Sequence, residues 1–221
     1  MGCSKEGKDF VCRITSVEGP VEVTKKESQE TRAAKKGLKL TLGDQLKTGK
    51  KAMVRLRFKD FATVLLGEES LYVVTAQKKT EDKGIIETST ELLKGIGLVK
   101  VKKDRAGSFK VKTPYAITGV LGTSFGLEVF GEDGEHEDGE HEDEHSFGTN
   151  LAVLDGKVSF AGGGGSLVVK GGKGAFCNGI APPGIVKKFS DLSSKLNAHL
   201  ENFLKAEAKG EKRLNSVFRY Y

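Results

Sequence analysis

Three histidines stand in a run of carboxylates. His136, His141 and His145 fall within 131–145, GEDGEHEDGEHEDEH, where Glu-His-Glu-Asp occurs twice, over 135–138 and 140–143. Imidazole nitrogens beside carboxylates suit Zn²⁺, Ni²⁺ or Cu²⁺, whereas clustered carboxylates alone suit Ca²⁺ weakly. The same run is rich in glycine and like charge, and it lies between a strand ending near Phe130 and one beginning near Leu151. Such a composition predicts a disordered insertion over 131–149, in which metal binding would have to offset the entropy of ordering the chain. The competing reading is a solvated insertion at a hairpin tip with no ligand at all.

The insertion also hides the charge of the rest of the chain. It holds nine of the 30 Asp and Glu, so 36 Lys and Arg face only 21 acidic residues elsewhere. A body that basic attracts polyanions. Lys100, Lys102, Lys103, Lys110 and Lys112 are the candidate patch for an acidic partner. The plainer reading is a solvated β face whose lysines discourage edge-to-edge pairing. Nucleic acid is not expected, because no familiar nucleic-acid-binding motif occurs in the chain.

Catalytic patterns are absent. There is no G-x-S-x-G and no H-E-x-x-H, and neither 161–166 nor 171–174, both glycine-rich, has the phosphate-cradling spacing G-x-x-x-x-G-K-[ST]. The only histidine outside the insertion, His199, is expected at a helix surface. The chain is therefore read as a non-enzyme with no cofactor beyond a metal at the insertion. Cys12 and Cys177 lie in apolar runs and read as packing residues, and no C-x-x-C spacing exists. Cys3, opening a polar stretch with Ser4 and Lys5, is a candidate lipidation site of the bacterial lipoprotein kind.

The elements that must carry these residues are mostly strands. Leu38, Leu40 and Leu42 alternate with Lys39 and Thr41; Val54, Leu56 and Phe58 with Arg55, Arg57 and Lys59; Val99 and Val101 with Lys100 and Lys102; Phe109 and Val111 with Lys110 and Lys112. Period-two alternation places one apolar row inward and one cationic row outward. Turn signals recur at Gly19-Pro20, Gly43-Asp44, Gly67-Glu68-Glu69 and Asp155-Gly156. After Pro182-Pro183-Gly184 the period changes: Ile185, Phe189, Leu192, Leu196, Leu200 and Phe203 recur at three and four, which predicts an amphipathic helix docked on its own domain. The division is thus a tether over 1–9, a β domain over 10–180 and a helical segment over 181–221. No run is long and apolar enough for a membrane-spanning helix.

Several short motifs occur in one order. Val17-Glu18-Gly19-Pro20-Val21-Glu22-Val23 precedes Gly43-Asp44-Gln45-Leu46-Lys47-Thr48-Gly49, then Leu92-Leu93-Lys94-Gly95, Thr113-Pro114-Tyr115-Ala116 with Gly119–Phe125, and finally Val153-Leu154-Asp155-Gly156-Lys157-Val158. Together they resemble the FecR family, bacterial periplasmic domains named for a regulator of iron-siderophore uptake. Leu121 stands where the family usually has Arg, and Phe61 where it usually has Gly. The resemblance implies a mainly β fold, an irregular β-solenoid or sandwich of short strands with the helix appended. It implies a periplasmic or outer-membrane-associated binding or signalling module, and two narrower roles stay open. One is metal binding or sensing through the insertion; the other is a sensor piece of iron-uptake sigma-factor signalling.

Calorimetric titration with Zn²⁺, Ni²⁺ and Ca²⁺, run beside a variant lacking residues 132–146, decides the metal role. Heat that disappears with the deletion makes the histidines ligands. Equal heat from both proteins, or none, reduces the segment to a solvated insertion, and in either case the deletion should leave the thermal transition in place.

Overall fold

The computed structural model describes residues 10–59, 62–79, 86–102, 107–120, 122–131, 147–186 and 192–201. These residues are mainly β. In chain order the strands are β1 (Cys12–Glu18), β2 (Val21–Thr24), β3 (Thr31–Ala33), β4 (Lys39–Leu40), β5 (Gln45–Thr48), β6 (Met53–Phe58), β7 (Thr63–Leu66), β8 (Leu71–Lys79) and β9 (Ile86–Lys100). They continue as β10 (Gly107–Lys112), β11 (Ile117–Val120), β12 (Ser124–Phe130), β13 (Gly148–Asp155), β14 (Lys157–Gly162), β15 (Gly165–Lys170), β16 (Lys173–Cys177) and β17 (Gly184–Val186). One helical stretch, 194–201, follows.

The pairings form two ladders. The front ladder runs β4-β1-β6-β7-β9-β12-β13-β16-β17. The back ladder runs β3-β2-β5-β8-β9-β10-β11-β14-β15, antiparallel except where β10 lies parallel to β9. Strand β9 belongs to both. Residues 86–94 pair in the back ladder and 95–100 in the front one.

The crossing falls at Gly95, whose φ is +86°. Left-handed backbone is open to glycine at no steric cost. A Cβ there would also stand 2.6 Å from Ser70 Cα, so space and conformation both demand glycine. Ser70 holds the crossing from the other side: its Oγ accepts the Ile96 N–H at 2.9 Å, and its own N–H reaches Thr48 Oγ1 at 2.8 Å.

Both ladders turn their apolar rows onto one buried cluster. Ile14, Leu56, Phe58, Val99, Phe125, Leu127 and Val153 come from the front; Val23, Leu46, Tyr72, Phe109, Val111 and Phe160 come from the back. Phe58 meets Phe109 edge to face across the gap, with ring centroids 5.1 Å apart. Edge-to-face contact suits the ring quadrupoles. Cys12 and Cys177 are buried free thiols, as their apolar neighbours predict.

Two sequence expectations are corrected. Leu42 is 42% exposed rather than continuing the Leu38, Leu40 row. The chain turns at Thr41, because the buried Asp44 carboxylate accepts the Thr41 N–H at 2.8 Å, the Lys26 N–H at 3.2 Å and the Lys25 ammonium at 2.5 Å. Thr113-Pro114 follows the last residue of β10, Lys112. Thr113 Oγ1 accepts the Ala116 N–H at 2.9 Å and closes the turn into β11. Ile185 is not on the helix stripe; it pairs with Ala175 in β17 and is 59% exposed.

Phe109→Ala removes the back half of the inter-ladder aromatic pair. Emptying a buried phenylalanine site costs about 3–5 kcal/mol. Urea denaturation should show that loss as a lower midpoint with little change in slope.

Candidate functional site

Part of the outer face of the front ladder is covered. Leu192, Leu196 and Leu200 pack on Leu65, Ile96, Leu98 and Ala152, a second buried cluster separate from the main core. Leu196 and Leu200, four apart, lie on one helix face, and Leu192 precedes the helix. The strands beneath are cleared to receive them. A Cβ on Gly126 would come within 2.8 Å of Leu98 and 3.0 Å of Leu200, and one on Gly174 within 3.0 Å of Leu192.

Polar side chains fix where the helix begins. Glu128 on β12 is buried, and its Oε2 accepts a hydrogen bond from Asn150 Nδ2 at 3.0 Å and a short one from Ser193 Oγ. Ser193 Oγ in turn accepts the Leu196 N–H at 3.1 Å. This is an N-cap serine, satisfying one of the orphan donors of the first helical turn. The Glu128 charge therefore sits at the positive end of the helix, where an anion is favoured. Further along, Lys195 reaches Glu69 at 3.5 Å.

Beside this contact is a pocket of about 460 Å³ lined by Phe130, Phe176, Asn150, Ile185, Leu192 and Ser193. The two phenylalanine rings stack with centroids 6.1 Å apart at 22°. Aromatic walls with a few placed polar groups can receive a small amphipathic group or a side chain. Ser193 and Glu128 are both engaged at the helix start. The hydroxyl is spent on the cap and the carboxylate on the hydroxyl.

His199 overlies Gly67 in the β7–β8 turn; a Cβ on that glycine would collide with the imidazole Nε2. Its Nε2 is buried without a hydrogen-bond partner among the described residues. Desolvation pushes the His199 imidazole below its ordinary 6.5, while the Glu68 and Glu128 carboxylates pull upward and Lys195 adds to the lowering. Glu68 is itself held below its ordinary 4.5, first by the Lys51 N–H that its Oε2 accepts at 2.8 Å. The expectation of a surface histidine is thus corrected: the imidazole is half-buried because the ladder face under it carries no side chain at position 67.

His136, His141 and His145 lie outside the described residues, as do Cys3 and Lys103. Among the described residues no group of three His, Cys, Asp or Glu could hold a metal ion. The four remaining lysines of the candidate patch fall on two ladders. Lys110 and Lys112 are exposed on β10, with Lys112 Nζ 3.7 Å from Glu91, whereas Lys100 pairs opposite Ser124 and Thr63 in the front ladder and Lys102 follows its end.

Residues 44–159, more than half of the chain, match the FecR protein family. The chain belongs to the FecR family. The match begins at the buried Asp44 that organises the β4–β5 turn and ends in β14, so it spans the β9 crossing. The helix that covers the front ladder lies beyond it. No curated protein matches the chain.

Among solved structures, two are of a chain described as a "putative anti-sigma factor" from Parabacteroides distasonis. They share 16% and 17% identity at TM-scores of 0.48 and 0.47, and each covers 65% of this chain and 59% of its own. The chain thus spans under two thirds of those relatives. A third, a "cell surface anchoring domain", is 27% identical over 28% of this chain and 82% of its own, at a TM-score of 0.27. The family assignment rests on the sequence match.

The half-buried His199 gives a signed pH dependence. With the folded-state affinity for protons lowered, the unfolded chain binds more protons as pH falls through about 6.5, so stability is full above that pH and declines below it. Thermal melts at about pH 7.5 and about pH 5.5 should differ less for His199→Gln than for the parent. A difference unchanged by the substitution would place the titrating group elsewhere.

Proposed function

We propose that this FecR-family chain is a non-enzymatic, extracytoplasmic binding and signalling module of the bacterial envelope. The single observation that carries the reading is the family match across the β9 crossing. The finer architecture proposed is a short-stranded, irregular solenoid or sandwich, and the two ladders' shared apolar cluster supports it. The helical segment that follows β17 is the proposed appendage. The packing of Leu192, Leu196 and Leu200 supports that reading.

A partner in this reading is an envelope protein or an acidic envelope polymer, and Cys3 is the proposed lipid anchor. A sensor role in iron-uptake sigma-factor signalling is the narrowest form of the same proposal. Metal sensing through His136, His141 and His145 is a second reading, favoured by the doubled Glu-His-Glu-Asp.

The test is fractionation of the tagged protein in its native host, with and without Cys3→Ser, beside transcript profiling of a deletion strain. The reading expects the parent in the membrane fraction of the envelope, the Cys3→Ser variant in its soluble fraction, and a confined set of transcripts altered by the deletion. A protein recovered with cytosolic markers, or a deletion without transcriptional effect, would overturn it.

A further inference from the structure

Three cations stand directly opposite one another on neighbouring strands of the front ladder. Lys39 on β4 pairs with Arg13 on β1, and Arg13 pairs with Arg57 on β6. All three side chains are exposed and share the outer face. Adjacent strands lie about 4.8 Å apart, so this row packs three positive charges across roughly 10 Å of sheet. Like charges placed directly opposite destabilise a sheet. None of the three has a carboxylate within ion-pair distance among the described residues.

The row gathers further charge. Arg55 lies two residues from Arg57 on the same face, and Thr63 then Lys100 continue the row beyond Arg57. At its near end the Phe10 ring is approached by Lys59 at 4.1 Å, Lys39 at 5.1 Å and Arg13 at 5.7 Å. Each distance is within cation–π range, so the ring offsets part of the repulsion and holds the charged ends together. Glu18 stands on the same strand five positions from Arg13, and Asp9 and Asp60, outside the described residues, flank the cluster in sequence.

We propose that this face, Phe10 with Arg13, Lys39, Arg55 and Arg57, docks on an anionic phospholipid bilayer. The occupant follows from charge and shape. Sheet-borne cations spread over three strands present a broad face rather than a groove, and headgroup phosphates offer negative charge in a plane. Guanidinium groups match phosphate with two parallel hydrogen bonds. A half-buried phenylalanine amid the cations adds apolar contact at headgroup depth. Cys3 lies seven residues before Phe10, so an acyl chain there would bring this face to the membrane, although the docking does not require one.

Full-length protein carrying Cys3→Ser is co-sedimented with phosphatidylcholine vesicles, with and without phosphatidylglycerol. Binding should require phosphatidylglycerol and weaken in high salt, as exposed charges are screened. The triple variant Arg13→Gln, Lys39→Gln, Arg57→Gln should lose roughly a hundred-fold in affinity, from about 1 kcal/mol per cation at an anionic surface. Its melting temperature should be no lower than the parent's, because a repulsive row has been neutralised. Lys110→Gln, Lys112→Gln, Lys157→Gln removes the same charge from the back ladder and should change affinity by less than about three-fold. Equal losses in both triple variants would reduce the effect to net charge. Absence of any dependence on phosphatidylglycerol, or tighter binding to a single-stranded oligonucleotide or to polyglutamate at equal salt, would also overturn the assignment.

Discussion

A single strand that serves two ladders is the constraint from which the rest of the molecule follows. β9 leaves the back ladder and enters the front one at Gly95, and its fifteen residues pair with β8 and β10 before the crossing and with β7 and β12 after it. Because the strand cannot bend there with a Cβ present, the position is tied to glycine and to Ser70 across from it. The consequence is energetic. A ladder with one apolar face must bury that face, and a shared strand brings the two faces to a common cluster, so Phe58 and Phe109 can meet. The family match spans this crossing, which ties the family's identity to the geometry that makes the core.

That arrangement leaves outer faces, and the chain treats different parts of the front one differently. Where Leu65, Ile96, Leu98, Gly126 and Ala152 face outward, the surface is apolar or bare of side chains, and a helix covers it through Leu196 and Leu200. Around β4, β1 and β6 the surface is cationic and exposed. The helix cannot extend over the second region without burying unpaired charges, a cost of several kcal/mol per ion. One face is thereby divided into a dry, helix-covered part and a wet, charged part. Glu128 belongs to the first part only because Ser193 and Asn150 supply its hydrogen bonds.

Much of the strand framework was legible because alternation is a local signal. Val54, Leu56 and Phe58 read as one inward row and are buried as such; the two glycines at 163 and 164, both with positive φ, close the β14–β15 hairpin that their run announces. Where reading failed, a hydrogen bond outside the periodic pattern had overridden it. Leu42 continued an alternating row until Asp44 captured the Thr41 N–H. Ile185 kept helical spacing with Leu192, yet hydrogen bonds to β16 made its segment a strand. Glu128 and His199 were the largest omissions from the candidate site. Glu128 alternates with Leu127 and Val129 and so points outward, which from sequence means solvent; only the helix above it makes that direction buried. His199 is drawn inward by the missing side chain at Gly67, 132 positions away, and no local pattern connects the two.

The distribution of charge then explains why the family fold alone does not specify what this chain touches. The core and the crossing are indifferent to which residues occupy the outward rows, since either sign is solvated there at little cost. Lys110 and Lys112 on the back ladder have Glu91 as a neighbour and form an ordinary mixed surface. Among the described residues Lys39, Arg13 and Arg57 have no ion-pairing carboxylate, and Lys39 and Arg13 approach the Phe10 ring, an arrangement that costs stability and that the fold does not require. A feature unfavourable for folding and unnecessary for packing is best accounted for by what it meets outside the chain. On that argument the front ladder's cationic row, rather than the more numerous lysines of the sequence as a whole, is the part of the surface that carries recognition.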